Sequence, residues 1–300
     1  ELAHTAGAQV LGKLIQKKER PEAATFVGAG KLAEILAFCS SNDIDLLIFD
    51  SELTPSQQRN LEKYTGVRVI DRTMLILDIF AARARTGEGK LQVELAQLKY
   101  SLPRLAGQGQ SLSRLGGGIG TRGPGESKLE SDRRHINRRI QKLEEQLREL
   151  EKRRDLLRRR RKKDGVQTVA IVGYTNAGKS TLMNALTKAG VLAEDKLFAT
   201  LDPTSRALTL PDGRKVMLVD TVGLIRRLPH KLVEAFKSTL EEAAQASVIL
   251  NVCDASDEHC SEHLDVTKKL LDELGCAGTP VISVMNKCDL VGNIYLMPTF

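Results

Sequence analysis

Aromatic residues are scarce in this chain of 300 residues: Phe, Tyr and Trp together make up 4%, and Trp is absent. No apolar run approaches the roughly 18 residues that a membrane-spanning helix needs, so no membrane span is expected. The five cysteines are scattered without a C-x-x-C pair, which is typical of free thiols in a reducing cytosol and not of a disulfide framework. A secretory signal is not visible, and we expect a cytoplasmic protein.

Excess charge of one sign is confined to one segment. The net charge is +7, and residues 127–163 alone hold 16 Lys and Arg against 7 Asp and Glu. The rest of the chain is therefore slightly acidic. A localised basic segment is typical of a surface that binds nucleic-acid phosphates, although an ordinary solvated helix can have the same composition.

A complete phosphate-binding motif, G-x-x-x-x-G-K-[ST], lies in the second half of the chain. An apolar run at 168–172 predicts a buried strand before it, and residues 182–186 continue it into a helix. This context is required because glycines let the backbone approach phosphates, while N–H groups at the start of the helix hold the anion. Lys179 is expected to reach the β- and γ-phosphates, and Ser180 to ligate Mg²⁺. The predicted nucleotide contacts are Gly173, Tyr174, Thr175, Asn176, Ala177, Gly178, Lys179, Ser180 and Thr181.

A second motif, D-x-x-G, follows another predicted buried strand at 216–219. Asp220 stands at the end of this strand, where its carboxylate can hold Mg²⁺ through water. The N–H of Gly223 can contact the γ-phosphate. Both residues are predicted nucleotide contacts.

A third motif, N-K-x-D, ends the predicted strand at 281–285 and supplies the contacts Asn286, Lys287 and Asp289. The Asp289 carboxylate can accept hydrogen bonds from N1–H and the 2-amino group of guanine, which adenine cannot offer. In series, the three motifs predict a site for GTP and GDP. An ATP-using enzyme is the alternative.

Residues 1–90 alternate helical and strand-like patterns, which predicts a small parallel α/β domain. Asp71 is expected to be the N-cap of a helix that runs through Phe80. Gly28-Ala29-Gly30-Lys31 lacks the full spacing of a phosphate loop, so it is interpreted as a strand-to-helix turn. The predicted strands are 25–27, 45–49 and 67–70, and the predicted helices between them are 31–38 and 58–64.

Residues 91–165 have leucines and isoleucines spaced alternately by four and three, first at 91–105 and again at 136–157. Two such stripes predict a long antiparallel helical hairpin, whose second arm at 127–163 would be about 55 Å long. A homodimer seam is the alternative, and we expect a monomer. The Gly-rich tip loop at 106–126 could reach into RNA or could be a disordered linker.

The predicted fold class is therefore α/β with three parts: the small N-terminal parallel α/β domain, the antiparallel helical hairpin and a P-loop domain at 166–300. The chain begins without Met and ends soon after Asp289. We therefore expect it to be truncated at both ends, with the P-loop domain incomplete.

Several tracts of this sequence resemble the signature of the HflX-type GTPases. They are G-G-I-G-T-R-G-P-G-E-S-K-L-E at 117–130, the tract at 87–96, the phosphate loop, F-A-T-L-D-P-T at 198–204 and the D-x-x-G motif. The resemblance covers nearly the whole chain. It implies a GTPase that binds the large ribosomal subunit, contacts RNA near the peptidyl-transferase region through the Gly-rich tip, and splits or rescues stalled ribosomes under stress. An RNA-binding nucleotide sensor with little turnover is the alternative.

The resemblance also implies roles in hydrolysis. Thr200 matches the threonine that closes on Mg²⁺ and the γ-phosphate, with Thr204 as a second candidate. Leu224 stands where many GTPases have a water-orienting glutamine, so hydrolysis is expected to be slow alone and stimulated by ribosomes. Asn176 is similar in position to an asparagine that holds K⁺ in related GTPases, or it stabilises the loop. The predicted catalytic residues are Lys179, Thr200, Gly223 and Asn176, and the predicted Mg²⁺ ligands are Ser180, Thr200 and Asp220.

His259 and His263 are spaced i, i+4 with Cys260 between them, which is a spacing that metal sites use. No further ligand is evident in the sequence. We therefore expect a plain surface helix here.

Overall fold

The computed structural model describes residues 1–17, 19–105, 124–187, 197–198, 204–225, 243–276 and 278–291. The chain divides into two compact units, one made of Glu1–Ile79 and Val93–Glu145, the other of Phe80–Gln92 and Gln146–Phe300. The mixed α/β class is confirmed. The domain boundaries at 90 and 165 stay predictions.

The first unit contains a two-stranded parallel sheet with helices around it. Strand β1 pairs with β2 from Leu46 opposite Arg68 to Phe49 opposite Asp71. Its core contains Ile35, Leu53, Leu61 and Val69, all buried. The elements in chain order are α1 (Leu2–Thr5), α2 (Ala29–Asn42), β1 (Leu46–Phe49), α3 (Pro55–Thr65) and β2 (Arg68–Asp71).

Helix α3 shows how local sequence sets the bounds of an element. The Thr54 side chain accepts a hydrogen bond from the Gln57 N–H, and the Gln57 side chain accepts one from the Thr54 N–H. This capping box satisfies two backbone donors that the first turn leaves open. The helix ends before Gly66, whose φ of 70° is in the left-handed region.

The predicted strand at 25–27 is wrong. Glu22 and Phe26 exchange two backbone hydrogen bonds across a tight turn, and Phe26 has a φ of 64°. A left-handed residue cannot continue an extended strand. The apolar residue Val27 still packs into the core, which explains why its pattern resembled a strand.

Three long helices follow: α4 (Arg72–Arg83), α5 (Gly87–Leu105) and α6 (Pro124–Lys163). Helix α6 has 40 residues and is therefore about 60 Å long. Its first three residues belong to the predicted tip loop 106–126, and the rest of that loop lies outside the described residues. Within the first unit, ion pairs Glu94–Arg139 at 2.6 Å and Lys99–Glu144 at 2.7 Å join α5 to α6.

A buried carboxylate organises the first unit. Asp71 caps α4 as predicted, because its Oδ1 accepts from the Met74 N–H at 3.0 Å. Its Oδ2 accepts from the Leu53 N–H at 3.0 Å, from an Arg104 N–H at 3.2 Å and from the Tyr100 hydroxyl. Burial and the hydrogen bond to Asp71 raise the pKa of Tyr100. One side chain thus ties β2, α4 and α5 together.

The second unit contains a five-stranded sheet in the order β4-β5-β3-β6-β7, in which only the β4–β5 pair is antiparallel. Helices pack on both faces: α7 covers Ile171 and Val252, while α8 covers Val172 and Ile249. The elements are β3 (Gln167–Gly173), α7 (Lys179–Thr187), β4 (Thr204–Thr209), β5 (Lys215–Asp220), β6 (Val248–Asp254), α8 (Cys260–Glu273) and β7 (Val281–Asn286). Among the described helices, none is apolar over a length that would cross a bilayer.

The Asp71 network generates a stability prediction. Asp71→Asn removes the charge that the half-buried Arg104 faces, and it turns part of the acceptor into a donor. Breaking a buried pair in this way should lower the free energy of unfolding by about 3 kcal/mol, measured by urea denaturation. The matched control is Asp50→Asn, since Asp50 pairs with Arg72 but its side chain is 77% exposed, and its removal should cost less than about 1 kcal/mol. Equal destabilisation of the two variants would contradict this role for Asp71.

Candidate nucleotide-binding site

The loop between β3 and α7 depends on two glycines for its shape. Gly173 has a φ of 144°, and a Cβ there would lie 2.1 Å from the Val252 carbonyl oxygen. Gly178 has a φ of 92°, and a Cβ there would lie 2.1 Å from Asn286 Nδ2. Both conformation and space exclude side chains at these positions. The two glycines of the motif are therefore explained by neighbouring atoms as well as by the phosphates that such loops bind.

Lys179 begins α7 and is buried. Its Nζ donates to the Tyr174 carbonyl oxygen at 2.8 Å, so the side chain folds back over the loop. Burial lowers the pKa of Lys179 to about 8, and the Asp220 carboxylate offsets part of this effect. A phosphate group in the loop would favour the charged ammonium. Binding of an anion in the loop would therefore stabilise the charged form of this buried lysine.

Ser180 and Asp220 meet at the edge of the sheet. The Ser180 Oγ donates to Asp220 Oδ2 at 2.6 Å, and Asp220 is fully buried at the end of β5. A hydroxyl and a carboxylate are the hard oxygen donors that Mg²⁺ takes, usually one or two of them beside phosphates and waters. The donor set fits this ion. Thr200, the third predicted ligand, lies outside the described residues.

The N-K-x-D motif is tied to the phosphate loop by its first residue. Asn286 Nδ2 donates to the Ala177 carbonyl oxygen at 2.8 Å. Lys287 pairs with Asp254 at 2.7 Å; burial would raise the pKa of Asp254, but the hydrogen bonds from Lys287 and Ser256 hold it below its ordinary value. The Asp289 side chain is exposed.

The D-x-x-G motif is pressed against the phosphate loop. A Cβ on Gly223 would lie 2.7 Å from the Thr175 Cα. Backbone hydrogen bonds run from the Thr175 N–H to the Leu224 carbonyl oxygen at 2.7 Å and from the Leu224 N–H to the Gly173 carbonyl oxygen at 3.1 Å. The Leu224 side chain is buried. Gly223 therefore lies beside the phosphate loop. The Leu224 side chain points into the protein interior.

Sequence reasoning missed the role of His263. Its ring stacks on the Tyr174 ring of the phosphate loop, with centroids 3.6 Å apart and an interplanar angle of 11°. The predicted plain surface helix is wrong at this residue, because His263 is buried. The buried face of α8 also contains Leu264, Thr267 and Leu271, and their helical spacing was the signal that places His263 inward. No metal-binding cluster of His, Cys, Asp or Glu occurs among residues whose positions the structure describes.

The loop, the strand-end carboxylate and the base motif together define a P-loop GTPase. The sequence matches three family models: "GTP-binding GTPase N-terminal" at 1–81, "GTP-binding GTPase Middle Region" at 83–161 and "50S ribosome-binding GTPase" at 168–287. It is 61% identical over 291 residues to the GTPase HflX of Caldanaerobacter subterraneus, covering 97% of this chain and 68% of the relative. It is 48% identical over 290 residues to that of Escherichia coli, covering 97% and 68%. The chain belongs to the HflX family of GTPases and is a GTP-hydrolysing enzyme.

Solved structures agree with this assignment. The GTP-binding protein of Sulfolobus solfataricus in complex with GDP has a TM-score of 0.50 and 30% identity, covering 98% of this chain and 79% of that one. A second GDP complex, of SsGBP, has a TM-score of 0.53 and 30% identity, covering 97% and 79%. Both of these proteins were solved with GDP bound.

The close approach at Gly178 generates a second prediction. In Gly178→Ala, the new Cβ should displace Asn286 and strain the loop, so the affinity for GDP should fall about tenfold or more. The measurement is equilibrium titration with a fluorescent GDP analogue. Gly213→Ala is the matched control, because Gly213 has a φ of 83° in the β4–β5 turn with no atom within 4 Å of its Cβ position. It should lose stability and keep its affinity; an unchanged affinity in Gly178→Ala would rule out the coupling to Asn286.

Proposed function

We propose that this protein is a cytoplasmic GTPase that binds the large ribosomal subunit and splits or rescues stalled ribosomes under stress, with its nucleotide state gating docking. The observation that carries the proposal is the charge of α6. Its apolar positions Ile140, Leu143 and Leu147 are buried or half-buried, while its basic side chains are mostly exposed. The exposed basic residues are Arg133, Arg134, Arg138, Lys142, Arg148, Lys152, Arg153, Arg159, Arg160 and Lys163.

This helix matches what an RNA backbone requires. Exposed Arg and Lys along one element neutralise phosphates and release counterions. The family description of the nucleotide domain as a 50S ribosome-binding GTPase supports the ribosome as the source of that RNA. By its resemblance to the family, the Gly-rich tract 106–126 would contact RNA near the peptidyl-transferase region. We propose a monomer for this complex.

The nucleotide would lie across the loop described above. In this proposal residues 173–181 contact the phosphates, Gly223 contacts the γ-phosphate, and Asp289 reads guanine beside Asn286 and Lys287. Ser180 and Asp220, with Thr200, would hold Mg²⁺, which when bound offsets charge on the β- and γ-phosphates. Lys179 would reach the same oxygens from the start of α7.

A nucleotide sensor with little turnover is the second candidate. The aliphatic and buried Leu224 favours it, since no hydrogen-bonding group at that position can align the attacking water. In the ribosome-splitting proposal, ribosomes order or supply the missing group. Multiple-turnover phosphate release with and without ribosomes separates the two candidates, because a sensor would show no stimulation.

The proposed K⁺ site at Asn176 has its own test. Asn176 has a left-handed φ of 65° in the loop, and its amide oxygen would share a cation with the phosphates. Replacing K⁺ by Na⁺ should then slow GTP hydrolysis, and Asn176→Ala should be slow in both salts. A wild-type rate that is the same in both salts would show that Asn176 serves the loop alone.

The ribosome proposal is tested by sedimentation of the protein with purified subunits in a GTP analogue, in GDP and without nucleotide. Binding should favour the large subunit and the GTP analogue.

Substituting Arg159, Arg160 and Lys163 by Gln should flatten the salt dependence of binding, by about 0.7–0.9 in log–log slope for each phosphate that is no longer neutralised. Gln at the exposed Arg206, Arg214 and Lys215 removes the same charge from the β4–β5 hairpin and should leave the slope unchanged. If both triple variants behaved alike, net charge and not α6 would determine binding.

A further inference from the structure

Phe198 has a conformation that its sequence does not explain. It has a φ of 55° and a side chain that is 1% exposed. A bulky residue in the left-handed region is strained, and such strain persists only where surrounding contacts hold it. The contacts that hold Phe198 in this conformation therefore indicate its role in the structure.

The first contact joins Phe198 to the phosphate loop. The Phe198 N–H donates to Thr175 Oγ1 at 2.7 Å, in a buried hydrogen bond. The backbone N–H of the same threonine donates to the Leu224 carbonyl oxygen at 2.7 Å. Thr175 thus joins the phosphate loop to Phe198 and to the residue that follows D-x-x-G.

The second contact joins Phe198 to α4. Its ring meets the Phe80 ring edge to face, with centroids 4.7 Å apart and an interplanar angle of 83°. Phe80 is 1% exposed and belongs to the same compact unit as the phosphate loop. It lies in the C-terminal part of α4, the helix that Asp71 caps at its other end.

We propose that Thr175, Phe198 and Phe80 form a relay that couples the nucleotide state of the phosphate loop to α4. All three are positioning residues in this relay. Because the backbone and the ring of Phe198 have different partners, relaxation of its strained backbone breaks the contact with Thr175 and moves the ring against Phe80. The relay rests on nucleotide binding at the loop and needs no ribosome, so its failure is distinguishable from failure of the ribosome proposal.

The first test compares affinities for a non-hydrolysable GTP analogue and for GDP, measured by fluorescence titration of the purified protein. Thr175→Val removes the acceptor and should change the ratio of the two affinities about three- to tenfold. Thr175→Ser keeps the acceptor and should restore the wild-type ratio. Phe80→Leu should change the ratio in the same direction as Thr175→Val, and the double variant should add little to the larger single effect.

Ile76→Val on α4 controls for simple loss of packing, since Ile76 is fully buried. It should lower the melting temperature without changing the affinity ratio. An unchanged ratio in Phe80→Leu, or additive effects in the double variant, would overturn the relay.

Hydrogen exchange gives a second readout that does not depend on affinity. In the wild type, replacing GDP by the GTP analogue should change the exchange rates of amides around Phe80, and Thr175→Val should remove this change. If α4 exchanged identically in both nucleotides, or responded equally in Thr175→Val, the contacts of Phe198 would be packing alone.

Discussion

The close approach of backbone segments around the phosphate loop is the constraint on which the nucleotide site depends. Gly173 lies against the Val252 carbonyl, Gly223 lies against Thr175, and Gly178 lies against the Asn286 amide. At each point a single methyl group would overlap an atom of a different segment. The loop is therefore positioned by contacts with the Val252 carbonyl, with Gly223 and with the Asn286 side chain. The sheet order brings these together, since β3 is paired with both β5 and β6, and β6 is paired with β7. This packing fixes the positions of the Lys179, Ser180 and Asp220 side chains.

The strand and helix on either side of the phosphate loop could be predicted from the sequence because their signals are local. A strand, a Gly-rich turn and a helix occupy consecutive residues, and Ser180 meets Asp220 because parallel strands bring their carboxyl ends to one edge. The capping role of Asp71 was likewise readable from its place before a helical pattern. Its other partners, Leu53, Tyr100 and Arg104, come from distant segments, and no spacing rule connects them.

The predictions that were wrong or missed concern residues whose positions are decided by tertiary contacts. Residues 25–27 have strand-like composition, yet a left-handed Phe26 makes a turn there. His263 was predicted to lie on a plain surface helix, because only its spacing from His259 was considered. It is buried because it lies on the apolar face of α8 and stacks on the Tyr174 ring. The Thr175–Phe198 hydrogen bond joins residues 23 positions apart, and the Phe80–Phe198 contact spans a still longer separation. Such contacts are set by the tertiary fold, which local patterns do not encode.

The hydrogen bond from Asn286 to Ala177 bears on how the proposed site would discriminate between nucleotides with different bases. The amide that begins the N-K-x-D motif donates to a carbonyl of the phosphate loop, so displacing either segment strains or breaks its bond to the other. In the site proposed above, a nucleotide whose base displaces this motif would also shift its phosphates relative to Ser180 and Asp220. In that site, discrimination between bases would then act on the rate of bond cleavage as well as on binding.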